Sequence, residues 1–193
     1  GGYIKMLYID KLVELLSPPV TLDTLHIKEN LELVEKHYNI IYPDDYKSYI
    51  MRYGIGQIND FLTIYIPINK EEYYLEMMRN CNNYRDFKKM FPENYTFDIF
   101  PEKGGLLPLG ITDGGSELWW KTSDKKENWT IVIYNENSWE YTEYNMQLCE
   151  FLYKYFTKEI DCAGFSESLR NGKIYFRSCE FDYKKYCEEI INR

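Results

Sequence analysis

Residues 104–134 read GGLLPLGITDGGSELWWKTSDKKENWTIVIY, and their alternation describes one strand, a tight turn and two further strands. Leu107, Leu109 and Ile111 alternate with Pro108 and Gly110, the period of two that sends successive side chains to opposite faces of a sheet. Asp113, Gly114 and Gly115 then offer the positive φ angles that a short hairpin loop needs. Leu118 and Trp120 alternate with Glu117, Trp119 and Lys121, and Trp129, Ile131 and Ile133 continue the pattern after a charged loop. The segment predicts an antiparallel meander. Trp119 and Trp120 are neighbours on one strand, so their rings point to opposite faces. Sharing a side with Leu118 places Trp120 inside. Trp119, on the face of Glu117 and Lys121, is either covered by a helix or exposed as an aromatic anchor of the kind that dominates interface energetics.

On the N-terminal side, Ile9, Leu12, Val13 and Leu16 recur at helical spacing until Ser17-Pro18-Pro19, where proline cannot continue the hydrogen-bond ladder. Ile27, Leu31, Val34 and Tyr38 form a second helical stripe. Pro43 suits the first position of a third helix, Asp44 and Asp45 suit the exposed amides of its first turn, and Gly54 or Gly56 ends it after the stripe Tyr46, Tyr49, Ile50 and Tyr53. Leu62, Ile64 and Ile66 predict a strand closed by Pro67. A helix follows over 70–90, with Tyr73, Met77, Cys81 and Tyr84 on one side, then a loop with a short extended piece at Tyr95, Phe97 and Ile99. Asn145 can cap a helix over 146–158 that turns Leu148, Phe151, Leu152 and Tyr155 inward. Near the C-terminus, Ile174, Tyr175 and Phe176 suggest a strand or extended segment, and Tyr183, Cys187, Ile190 and Ile191 an amphipathic helix.

Four of these segments, in order, resemble the SUKH superfamily, also described as Smi/Knr-like: 42–47 (YPDDYK), 58–64 (INDFLTI), 105–115 (GLLPLGITDGG) and 145–156 (NMQLCEFLYKYF). The resemblance runs from about residue 25 to residue 160. It implies an α+β single domain with a central, mostly antiparallel twisted sheet flanked by helices. Residues 1–24 then form an N-terminal helix and linker, and 161–193 a C-terminal extension packing on the same domain. It implies, in bacteria, a non-enzymatic immunity protein that neutralises a cognate toxin of a polymorphic or contact-dependent system. It also admits a regulatory or scaffold protein binding an endogenous partner, because eukaryotic members are similar to cell-wall and signalling regulators. An aromatic pocket serving a small-molecule sensor is a third reading. Gly104, Gly105, Gly110, Asp113 and Gly114, which match recurrent positions of the superfamily, read as turn-forming residues.

The 193 residues carry a formal charge of −8, from 31 acidic and 23 basic side chains, which argues against nucleic acid or an anionic membrane as partner and for a protein with a basic surface. Residues 93–160 hold 12 acidic against 6 basic side chains, so the meander and the helix after it carry most of the excess. The 20 tyrosines are expected at the edge of the core, with their hydroxyls towards water. Cys81, Cys149, Cys162, Cys179 and Cys187 are odd in number and lack metal spacing; disulfides are not predicted, and Cys81 and Cys149 fall on core-facing positions. Asp10 and Glu14 interrupt the apolar residues near the N-terminus, so a reducing cytoplasm is the expected location. Gly1 and Gly2 are set aside.

Enzymatic chemistry finds little to stand on. His26 and His37 lie eleven residues apart on one predicted helix, roughly 16 Å along its axis, too far to share a metal. No nucleophile elbow, phosphate loop or dinucleotide turn occurs, and paired acids such as Glu71 and Glu72 lack a defined cleft. No catalytic, cofactor or metal residue is assigned. The negative excess selects Asp113, Glu117, Trp119, Asp124, Glu127, Glu136, Glu140 and Glu143 as candidate partner contacts. The oligomeric state is left open.

Overall fold

The structure, a computed structural model, describes residues 7–67 and 71–179, with the backbone alone over 71–78. Gly1, Gly2 and the helix expected around Tyr183, Cys187, Ile190 and Ile191 lie outside the described residues, as do the side chains of Glu71, Glu72, Tyr73 and Met77. The elements run α1 (Tyr8–Leu15), α2 (Thr24–Tyr38), α3 (Asp44–Tyr53), β1 (Gly56–Ile58), β2 (Leu62–Ile64), α4 (Glu71–Met90), β3 (Leu106–Thr112), β4 (Glu117–Lys121), β5 (Thr130–Asn135), β6 (Glu140–Tyr144), α5 (Leu148–Phe156) and β7 (Phe176–Ser178). The described strands pair antiparallel in one sheet, in the order β6-β5-β4-β3-β2-β1-β7, and the fold is α+β.

The meander forms where the alternation put it, and the sheet extends past it on both sides. β6 (EYTEY) is a half-exposed edge strand without an apolar alternation, and β1 is three residues long, so neither carried a legible pattern. In the β3–β4 turn only Gly115 takes a positive φ, +87°; Asp113 and Gly114 do not, contrary to the expectation for all three. The turn is closed instead by the Thr112 N–H donating to the Ser116 carbonyl at 2.8 Å and the Gly115 N–H to the Thr112 carbonyl at 3.0 Å. Gly110 answers to another constraint: a Cβ there would lie 2.4 Å from the Thr63 carbonyl oxygen, so only glycine lets β2 and β3 approach at this register.

Two cores lie on opposite faces of the sheet. The larger packs α1, α2, α3 and α5 against Leu107, Leu109, Leu118, Trp120, Ile131 and Ile133. The smaller packs Cys81 and Tyr84 of α4, with Ile99, against Leu106, Trp119 and Val132. Trp120 is inside as the alternation predicts, and Trp119 is covered by α4, with only 3 % of its surface exposed. Coverage, not exposure as an anchor, is therefore the outcome for Trp119. The expectation for tyrosine is corrected as well. Tyr46, Tyr49, Tyr53 and Tyr155 are fully buried, and the hydroxyls of three find backbone carbonyls: Tyr53 donates to Leu16 at 2.7 Å, Tyr155 to Ser166 at 2.9 Å, and Tyr46 to Tyr65. Loop carbonyls outside the helix and sheet ladders supply what water was expected to supply.

α5 begins at Leu148 rather than Met146, and Asn145 does not cap it. Gln147 sits at the cap position with no side-chain hydrogen bond, and Asp45 of α3 takes the role across the core: its Oδ2 accepts the Cys149 N–H at 2.8 Å, and the Leu148 N–H also hydrogen-bonds the carboxylate. Burial raises the Asp45 carboxyl above its ordinary value, and those two amides pull it back down. Pro43 stands at the cap of α3, one position earlier than expected, and Asp44 pairs with Lys126 at 2.6 Å. His26 pairs with Asp23 at the start of α2, while His37 packs edge-on against Tyr38 at its end. At the far edge β7 pairs with β1, matching Gly56 to Ser178. Among the described residues no helix is long and apolar enough to cross a membrane, and no group of three or more His, Cys, Asp or Glu side chains is placed to hold a metal.

Asp45 joins two helices through a capping contact, so Asp45→Ala is expected to cost about 1 kcal/mol. In a chain of this size that lowers the melting temperature by roughly 2–4 °C, while Asp45→Asn, which keeps an acceptor oxygen, falls less in the same thermal melts.

Candidate functional site

α4 does not cover the whole outer face of the sheet. Between its C-terminal half and the β5–β6 end of the sheet lies a cleft of about 520 Å³. Its floor is Glu117 and Trp119 of β4, Tyr134 of β5 and Tyr141 of β6, brought side by side by the register that pairs Glu117 with Tyr134 and Tyr134 with Tyr141. One wall is Tyr84, Phe87 and Phe91 with Tyr95 of the following loop; Phe87 and Tyr95 stack with ring centroids 5.5 Å apart. The opposite wall is Glu136 and Trp139 of the β5–β6 turn. The rings form a connected set, with Tyr84 5.1 Å from Tyr95 and 5.9 Å from Tyr141, and Tyr134 5.0 Å from Tyr141.

Charge within this aromatic enclosure is of one sign. Glu117 Oε2 accepts the Trp119 indole N–H at 3.0 Å. Burial pushes the Glu117 carboxyl above its ordinary value, the indole contact lowers it, and the Glu136 charge raises it further. Glu136 lies over Gly115 with its Cγ 3.4 Å from where a Cβ would stand, and its side chain is within hydrogen-bonding reach of the Tyr134 hydroxyl. The described lining includes no Lys or Arg. Burial raises the Tyr134 and Tyr84 phenols to about 12 and displaces Tyr141 further upward, so these hydroxyls stay protonated donors at neutral pH.

The rim is apolar and open. Phe87 is 43 % exposed, Phe91 48 % and Trp139 67 %. Trp139 holds a left-handed backbone with φ +59°, closed by its N–H donating to the Asn135 carbonyl at 2.7 Å. For a residue with a Cβ this conformation costs roughly 1–2 kcal/mol. Folding supplies no compensating burial for that ring, and strain of this kind gathers at sites that work.

The eight residues selected by charge separate in space. Glu117 and Glu136 meet in the cleft; Asp113 sits in the β3–β4 turn and Glu140 opens β6, both at the same end of the sheet. Asp124 and Glu127 lie on the β4–β5 connection at the opposite end, where Asp124 pairs with Lys103 at 2.5 Å. Glu143 is matched by Lys121 at 2.6 Å. Trp119 is the buried floor. Charge counting missed Tyr95, Phe87, Phe91, Tyr134, Tyr141 and Trp139, whose one shared signal was the abundance of aromatic residues over 84–141.

A family model described as SMI1-KNR4 cell-wall matches residues 28–152. The chain belongs to the SUKH superfamily. That match takes in every residue of the cleft, from Asn80 to Tyr141, so the cleft is part of the SUKH domain. No curated protein and no solved structure matches the chain.

Two outcomes follow from strain and burial. Trp139→Gly relieves the left-handed penalty of roughly 1–2 kcal/mol against an unfolded-state entropy loss of about 0.5–1 kcal/mol, so its melting temperature should equal or exceed that of the parent. Glu117 has a folded-state pKa above its unfolded one; its contribution to stability is therefore greatest at acid pH and declines as pH rises through that interval. Glu117→Gln should accordingly melt higher than the parent at pH 7, and the difference should shrink towards zero below about pH 4 in a pH series of thermal melts.

Proposed function

We propose that the protein is a non-catalytic binding protein that neutralises a toxin domain by occupying its working surface, and that the partner docks over the cleft between α4 and the β5–β6 turn. The observation that carries this reading is the union, in one place, of exposed aromatic rings and carboxylates that no cation matches among the described residues. Rings desolvated at the centre of an interface supply most of its energy, and a surrounding charge of one sign supplies encounter rate and selectivity. SUKH membership supports binding as the mode of action. Among the described residues, the pairing of Asp124 and Glu143 with lysines leaves four of the five unmatched candidate carboxylates, Asp113, Glu117, Glu136 and Glu140, at the end where the cleft opens, with Glu127 alone at the other.

A toxin that itself engages nucleic acid presents the basic surface this end would fit, because carboxylates here compete with phosphates there. The reading puts the protein in the cytoplasm, whose reducing poise suits the thiols of Cys81, Cys149 and Cys162; these are buried, and burial raises their pKa, so they stay unreactive. A volume of about 520 Å³ also falls in the range of small-molecule sites, which makes a sensing role the second reading. The three rings exposed at the rim favour a macromolecule.

Coexpression with the product of the adjacent upstream gene is expected to relieve toxicity and to yield a copurifying complex. Glu136→Lys combined with Glu140→Lys should leave the melting temperature within a few degrees of the parent and weaken that complex about tenfold or more in calorimetry at low salt. Unchanged affinity at low salt rejects the acidic end as the docking surface.

A further inference from the structure

We propose that the cleft is a receptor for one arginine side chain presented by a loop of the protein partner, with Glu117 and Glu136 as counter-ions and the rings of Trp139 and Tyr95 as its apolar walls. This deepens the binding role proposed above and rests on it for the source of the arginine.

The carboxylates make the first argument. Trp119 occupies Oε2 of Glu117, and among the described residues nothing donates to Oε1. Glu136 is close enough for its charge to disfavour ionisation of Glu117, and no cation in the described lining offsets either carboxylate. An anion entering here would meet two negative groups. A wholly apolar guest would strip the remaining water from Glu117 and leave its charge unpaired, which costs more than the apolar contact returns. A cation resolves both conflicts.

The aromatic lining, which includes Tyr95 and Trp139, makes the second argument. A cation lying against aromatic faces gains quadrupole attraction that grows as water is excluded. Guanidinium suits the site better than ammonium: it is planar and stacks on rings, it is more weakly hydrated, and its fork of donors can engage two carboxylate oxygens at once. The Tyr134 and Tyr141 hydroxyls stay neutral at physiological pH, since burial holds both phenols above their ordinary value. Size makes the third argument. About 520 Å³ exceeds one side chain, so the guest enters with its neighbours on a loop, past the exposed Phe91 and Trp139.

The test uses the full chain and three acetylated, amidated tripeptides, Gly-X-Gly, with X arginine, lysine or citrulline. Trp119 on the floor and Trp139 at the rim both line the cleft, whereas Trp120 and Trp129 lie in the other core, so a change in intrinsic fluorescence reports chiefly on the cleft. The arginine peptide should bind saturably with a dissociation constant on the order of 1 mM, about tenfold tighter than the citrulline peptide and more tightly than the lysine peptide. Glu117→Gln with Glu136→Gln should abolish the difference between arginine and citrulline while the protein still melts cooperatively, and Trp139→Gly, followed by amide chemical shifts, should weaken the arginine peptide several-fold. Equal response to arginine and citrulline, or full binding by the double variant, overturns the proposal. Failure of the peptide arm with an intact toxin complex rejects the arginine receptor and leaves the binding role standing. Arginine selectivity without any copurifying or neutralised toxin rejects the binding role and leaves cation recognition in place.

Discussion

Adjacent indoles on β4 enter opposite cores, and the rest of the molecule is arranged to permit it. Trp120 packs among the helices of one face, ringed by Tyr46 at 5.6 Å and Trp129 at 6.0 Å, while Trp119 lies under α4 with Tyr84 5.9 Å away. A strand that buries large side chains on both sides must sit inside the sheet and must be covered twice. This is why the meander is extended by β6 on one side and by β2, β1 and β7 on the other, and why a single layer of helices would not suffice.

The second layer is the thinner one. The main core draws on four helices; the outer core rests on α4 and the extended segment that carries Tyr95, Phe97 and Ile99. Coverage ends near Tyr141, and the cleft is the remainder. Within it two features oppose the stability of the fold: a half-buried carboxylate where a neutral amide would satisfy the same indole, and an exposed tryptophan in a conformation suited to glycine. Each alone is unremarkable in energy. Facing the same volume, they mark the place where local rules yield to something other than folding.

Much of the fold was legible. Period-two alternation in 104–134 gave β3, β4 and β5 and the inward Trp120, and 3.6-residue stripes gave α1 to α5 to within a turn. What escaped were elements with no pattern of their own. β1 is a three-residue strand held between β2 and β7, and β6 is an edge strand whose polar residues are tolerated by water on one side; β7, by contrast, begins within the extended segment expected at Ile174, Tyr175 and Phe176. The cap of α5 escaped for a related reason: Asp45 is 104 positions from Cys149, and local spacing carries no trace of a contact made by folding. Charge counting likewise gathered Asp124 and Glu143 with Glu117 and Glu136, because a one-dimensional excess does not reveal which carboxylates meet a lysine.

The amino-acid order alone determined the class of the fold, the strands of the meander, the apolar face of each helix and the sign of the charge, since all of these depend on neighbours within a few residues or on a simple sum. Only the tertiary structure decided that Trp119 is covered, that tyrosine hydroxyls are satisfied by distant carbonyls, and that Glu117, Glu136, Tyr95 and Trp139 line one cleft. Those facts depend on how far α4 reaches across the sheet and on the register between β4, β5 and β6, and both are fixed by packing between segments that are remote along the chain.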